Sequence, residues 1–203
     1  SSITVLEGEQ VEVTLPVLKL KEVPLKFEFS NVPAGYDPAE LNASISPATI
    51  RIAGAADTVD GIESVNAGFI NLARVQLGKA ETLKIQLSEG LVNVDDVQEA
   101  TVTFDTSGYG EPRAITVSDI RVVNAPSGVD VKVITESINN VTLVGEAEEL
   151  AASSPSDVIA QVDASAQNIT VKGSGQQQFS AQIIVTGTKT VFATGAYSVL
   201  CDI

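Results

Sequence analysis

Apolar and polar residues alternate with a period of two along most of this chain, the pattern of strands that bury one face. Val11, Val13, Leu15 and Val17 share one side, with Glu12, Thr14 and Pro16 opposite. Val23, Leu25, Phe27 and Phe29 alternate with Pro24, Lys26 and Glu28, and Val129, Val131 and Val133 alternate with Asp130 and Lys132. Phe179, Ala181, Ile183 and Val185 repeat the pattern, as do Tyr197, Val199, Cys201 and Ile203. β-branched residues fill these runs, as strands prefer, so a mainly β protein is predicted. Helical signal is brief. One turn is expected over Asp57–Ile62, with Asp57 or Thr58 as N-cap, and a second over Glu146–Ala152, stopped near Ser154-Pro155. Residues 173–178, Gly-Ser-Gly-Gln-Gln-Gln, read as a loop joining two strands.

The order of these elements occurs twice. Asn31-Val32-Pro33-Ala34-Gly35 returns 93 positions later as Asn124-Ala125-Pro126-Ser127-Gly128. Ile50-Arg51-Ile52-Ala53-Gly54 returns at an offset of 91 as Val141-Thr142-Leu143-Val144-Gly145. Val65-Asn66-Ala67, followed by Ile70-Asn71-Leu72-Ala73, returns as Val158-Ile159-Ala160, followed by Val162-Asp163-Ala164-Ser165. A period this long marks a tandem domain rather than a solenoid. Two modules are therefore predicted, 3–106 and 113–203, joined by a linker over 107–112 with little to bury. Gly35 and Gly128 are expected to close tight turns at positive φ. Gly54 and Gly145 are expected to end strands and let the chain bend into each short helix.

With 44% apolar residues but only 4% aromatic, the two cores must be built from Val, Ile, Leu and Ala. The net charge of −14 is uneven. Residues 1–112 hold 7 basic and 17 acidic side chains, residues 113–203 hold 5 and 9. Such a surface repels phosphate backbones and anionic lipid heads, so nucleic acid is excluded as a partner, and so is membrane binding through basic patches. The lack of methionine and the opening Ser1-Ser2 are read as those of a piece of a longer protein. Any membrane contact would be made by an N-terminal helix outside it, since no apolar run here is long enough to span a bilayer.

The chain has no histidine and one cysteine, so Ser-His-Asp and Cys-His nucleophiles and the usual zinc sites cannot be assembled. No phosphate-binding glycine loop is complete, because Gln178 stands where Gly173-x-Gly175 would need a third glycine. Asp57, Asp60 and Glu63, three apart, could form a calcium patch but suit the first turn of a helix better. Asp95-Asp96 is read as a solvated turn rather than a weak cation site. Glu146, Glu148 and Glu149 are read as a solvated helix face, and Cys201 as a small buried hydrophobe. The sequons at Asn42, Asn140 and Asn168 are no more than this composition supplies by chance. No catalytic, cofactor-binding or metal-binding residue is singled out, and no cofactor is expected.

The ordered set of motifs resembles the YbbR-like domain family in both halves. Asn31, Pro33, Gly35, Gly54 and Ile70-Asn71-Leu72 carry the resemblance in the first, and Asn124, Pro126, Gly128, Gly145 and Val162-Asp163-Ala164-Ser165 in the second. Asn71 departs from the family's aspartate, and Ala164 from its larger aliphatic. The resemblance implies tandem β-rich modules with crossed or swapped hairpins and one short helix each, similar to the C-terminal domain of the L25 class of ribosomal proteins. It further implies display on the outer face of the cell membrane of a Gram-positive bacterium, behind an N-terminal transmembrane helix. The implied role is non-enzymatic: regulation, through protein contacts, of the membrane diadenylate cyclase that makes cyclic di-AMP. The alternative is a cell-surface adhesin or carbohydrate-binding module. The absence of Trp and the presence of only Tyr36, Tyr109 and Tyr197 argue against sugar platforms. A hydrolase using paired carboxylates is the third reading, and spacing alone does not support it.

Overall fold

A computed structural model describes residues 17–166 and 175–203. The expected strand over Val11–Leu15, the sequon at Asn168 and the start of the 173–178 loop fall outside them. The first half contains strands β1 (Lys19–Ser30), β2 (Ala43–Ser46) and β3 (Thr49–Gly54), then helix α1 (Ala56–Asp60). Strands β4 (Val65–Asn71), β5 (Glu81–Lys84), β6 (Val92–Asn93) and β7 (Glu99–Phe104) complete it. The second half runs β8 (Arg113–Val117), β9 (Asp119–Val123), β10 (Lys132–Val133), β11 (Ile138–Val144) and α2 (Ala147–Ala152). It continues with β12 (Val158–Asp163), β13 (Gln176–Val185), β14 (Phe192–Thr194) and β15 (Tyr197–Asp202). No helix among the described residues is long and apolar enough to cross a membrane.

The strand pairings reproduce the sequence echo. The first part of β1 pairs antiparallel with β3 (Val23 opposite Ile50), and its second part pairs parallel with β4 (Leu25 opposite Val65). In the second half the same job is divided: β8 pairs antiparallel with β11, and β9 parallel with β12. The β2–β7 and β3–β6 pairs have counterparts in β10–β15 and β11–β14. β1 thus lies between β4 and β3 in one four-stranded sheet, whereas β8 and β9 belong to different sheets.

Local differences from the sequence reading have local causes. The alternating run at Val129–Val133 pairs over only Lys132–Val133. Gln176–Gln178, expected in a loop, begin β13 and face Asp202, Cys201 and Leu200. Helix α1 starts after Ala55 with no side-chain cap, so Asp57 lies inside its first turn instead of capping it. That helix ends at Asp60, so Glu63 is not on its face.

Among the described residues, three apolar clusters form the interior. Val23, Leu25, Ile50, Ile52, Val65 and Ala100 fill the first module. Val117, Val141, Leu143, Val158, Phe179 and Val199 fill the second. Cys201 is fully buried among these, and burial pushes its thiol pKa up, as a core residue's should be. The third cluster belongs to neither module alone: Tyr36, Leu41, Leu72, Val75, Val102 and Phe104 close over Val144 and Phe192.

Candidate functional site

The third cluster is a seam between the modules, and both sides of it are built by repeated devices. Asn31 and Asn124 adopt φ of 51° and 54°, and Gly35 and Gly128 follow at 87° and 83°. Both Asn-x-Pro-x-Gly segments therefore make the same turn. In the first module that turn delivers Tyr36, whose ring centre lies 4.4 Å from that of Phe192. The linker contributes as well. Gly110 N–H donates to Gly145 O at 3.0 Å, Ala147 N–H donates to Gly108 O at 2.9 Å, and Tyr109 bridges to Glu146. Tyr109 packs against the seam with its hydroxyl buried, so the linker buries more than its composition suggests. Gly195 N–H donates to Ala73 O at 2.6 Å and Asp37 N–H to Lys189 O at 3.3 Å, locking backbone to backbone across the junction.

Beside the seam opens a cleft of about 540 Å³. Asn31, Asn71 and Arg74 line it from the first module, and Gln161, Asp163 and Tyr197 from the second. Asn71 and Asp163 sit at equivalent positions and play one part. Asn71 Oδ1 accepts from Ala73 N–H at 3.0 Å, and Asp163 Oδ1 from Ser165 N–H at 2.9 Å. Only an acceptor is needed there, which explains why asparagine serves where the family pattern has aspartate. The Asp163 carboxylate also accepts from Ser165 Oγ at 2.7 Å and Asn124 Nδ2 at 3.1 Å, and these bonds hold its pKa below the usual range. Tyr197 is engaged too: its hydroxyl donates to Thr194 O and accepts from Thr142 N–H at 2.9 Å. Asn71, Asp163 and Tyr197 in the cleft wall are thus held in structural bonds, with the exposed Arg74 beside them.

The acidic groups singled out in the sequence are not brought together. Among the described residues no group of three or more His, Cys, Asp or Glu could hold a metal ion. Asp60 pairs with Lys19 on the surface. Asp95 is the partner of Arg51, accepting from its backbone N–H at 2.6 Å and its Nε at 2.7 Å, so it is neither a cation site nor a free turn carboxylate. Those bonds lower its pKa. Glu149 departs from the predicted solvated face, because Thr188 and Thr190 donate their hydroxyls to its Oε2, the latter at 2.7 Å, and hold its pKa down. Nothing in the local sequence around Glu149 signals those partners, which lie about forty residues away.

Comparison with known proteins agrees with the resemblance. Residues 23–118 match the model of the family described as YbbR-like protein. Among solved structures, the chain is similar to a YbbR-like protein from Streptococcus pneumoniae TIGR4, at 16% identity over 96% of this chain and 97% of that one, with a TM-score of 0.33. It is also similar to SuR18C from Streptococcus thermophilus, at 20% identity over 43% of this chain and 84% of that one, with a TM-score of 0.34. No curated protein matches. Over residues 23–118, just under half of its length, this chain is similar to the YbbR-like family.

Proposed function

We propose that the two modules form a non-enzymatic interaction element, acting outside the cell as part of a membrane-anchored protein and modulating a membrane diadenylate cyclase. The observation that carries the interaction part is the sealed seam. Burial of Val144 and Phe192 under Tyr36, Leu41 and Phe104 joins two modules into one body. A body of that kind can present a fixed surface to a partner, whereas loosely tethered modules could not hold one. The cyclase as partner, the extracytoplasmic location and the anchor rest on kinship with the family alone. The surface offered to the partner is acidic, in keeping with the net charge of −14.

The test uses the full-length parent protein in cells with its cognate cyclase. Cyclic di-AMP is quantified with the parent intact and with residues 1–203 removed, membrane insertion being verified in both. A changed nucleotide level is expected. An unchanged level would discard the cyclase reading and leave a surface-binding or spacer role.

A further inference from the structure

Residues 186–191 connect β13 to β14 and carry part of the second module's side of the seam. The connection starts on its own module, where Thr186 donates its N–H and its hydroxyl to Asp157 O at 2.8 and 2.9 Å. It ends at Val191, buried in the second core, and leads directly into Phe192, buried in the seam. Between these ends, Lys189 O accepts from Asp37 N–H of the first module at 3.3 Å. Thr188 and Thr190 tie the connection to α2: both hydroxyls donate to Oε2 of Glu149, and Thr190 N–H donates to Thr188 Oγ1 at 3.1 Å. Among the described residues Thr190 is the one buried polar side chain, so its hydroxyl needs the acceptor that Glu149 supplies.

Glu149 therefore stands in the middle of a run of bonds that crosses the junction. Its helix is pinned to the linker by Ala147 N–H on Gly108 O. Through the two threonines the same helix holds the connection that meets Asp37 and leads into Phe192 against Tyr36. A carboxylate accepts both hydroxyls in charge-assisted bonds, each roughly twice as strong as its neutral equivalent. A carboxylic acid accepts more weakly, and its own proton needs a further acceptor. We propose that Glu149 is an acid-released latch on the seam: ionised, it fixes residues 186–191 where the first module docks; protonated, it frees them, and the modules uncouple before either loses its own core. The charged groups around it are Glu146 and Glu148 on the same helix, Arg113 at the helix end, Asp157 and Lys189 at the connection, and Asp37 from the first module. Among the described residues none forms an ion pair with Glu149. The Thr188 hydroxyl, and after it that of Thr190, holds the Glu149 pKa below the usual carboxylate range against the opposing effect of burial. A group whose folded pKa is depressed stabilises above its unfolded pKa and ceases to do so as pH falls through the folded one. Release therefore belongs to acid, below the ordinary range of glutamate.

Amide hydrogen exchange on the intact chain tests this from neutral pH to about pH 3, with protection factors used so that the intrinsic effect of pH divides out. Two groups of amides are compared. Asp37 and Gly195 donate across the junction, to Lys189 O and Ala73 O, whereas those of β3 and β12 lie inside the modules. On acidification the junction amides should lose at least about tenfold in protection while the module amides keep theirs. Glu149→Gln, which keeps an acceptor without the charge, should cause the same selective loss at neutral pH and remove most of the response to acid. The double variant Thr188→Val, Thr190→Val removes both donors, keeps their shape and should behave likewise. Junction amides as protected in Glu149→Gln as in wild type at neutral pH overturn the latch. So does a loss spread evenly over β3 and β12, which would make Glu149 an ordinary stabiliser of the fold. An acid loss of equal size in wild type and variant overturns it as well, by assigning the response to another carboxylate.

Discussion

At the scale of single residues, the two glycines that end β3 and β11 act by closeness rather than by bending the chain. A Cβ on Gly145 would lie 2.4 Å from Thr190 O and 2.7 Å from Val191 Cα, both parts of the backbone. On Gly54 it would lie 2.9 Å from Gly90 O, also backbone but less close, and 3.0 Å from Leu91 Cδ2, a side chain that can give. Gly145→Ala should therefore destabilise the protein by about 3 kcal/mol and Gly54→Ala by about half as much, read from urea midpoints. The buried hydroxyls of Tyr36 and Tyr109 lie close enough to affect one another's titration, but neither makes a hydrogen bond of normal length. Tyr36→Phe should consequently be neutral or stabilising, since it removes an unsatisfied polar group and keeps the ring on Phe192. A loss above about 1 kcal/mol would show that the hydroxyl is bonded in solution. Glu149 gives a pH dependence. Its folded pKa is depressed by the Thr188 and Thr190 hydroxyls, so its contribution is present at neutral pH and is lost as pH falls through the folded value. Glu149→Gln should flatten the acid limb of stability against pH, while leaving the neutral-to-alkaline region parallel to wild type.

At the scale of elements, α1 and α2 have five and six residues, too few to persist alone. Each is tied down by a cation from the first strand of its module. Lys21 Nζ donates to Ile62 O at 2.6 Å and Asp60 O at 3.2 Å, and Arg113 Nη1 donates to Ser153 O at 2.8 Å and Leu150 O at 3.3 Å. A cation against the terminal carbonyls satisfies acceptors that the helix leaves open and complements its dipole. Arg113→Ala should cost about 1–2 kcal/mol in a urea titration, with the protected amides of α2 exchanging faster than those of β13. The sequence displayed both helices, at matching places, through the glycines before them. It did not display what ties them down, because Lys21 and Arg113 lie about forty residues from the carbonyls they reach. The strands were legible wherever one face is buried along the whole run, as in Val23–Phe29 and Val199–Cys201. They were misread at Val129–Val131, where alternation persists but no neighbouring strand continues.

At the scale of the molecule, the seam decides whether the chain behaves as one body or two. Phe192 is fully buried in it, so Phe192→Ala should cost about 3–5 kcal/mol. Its more telling effect is on cooperativity: the wild-type chain should unfold in one transition and the variant in two, seen by calorimetry. A variant that still unfolds in one step would mean the linker alone couples the modules.

The mainly β character, the paired turns and the short helices were all determined by the sequence alone, because each depends on residues near one another and each was written twice. Which residues seal one module against the next could not be read that way. Val144 and Phe192 carry the same apolar signature as residues that fill their own module, and only the position of the first module makes them interfacial. The same holds for Glu149, which periodicity assigns to solvent and which two distant threonines draw inward. Periodicity records the face a residue presents; what lies against that face is fixed by the tertiary arrangement, since long-range contacts depend on the relative placement of whole elements.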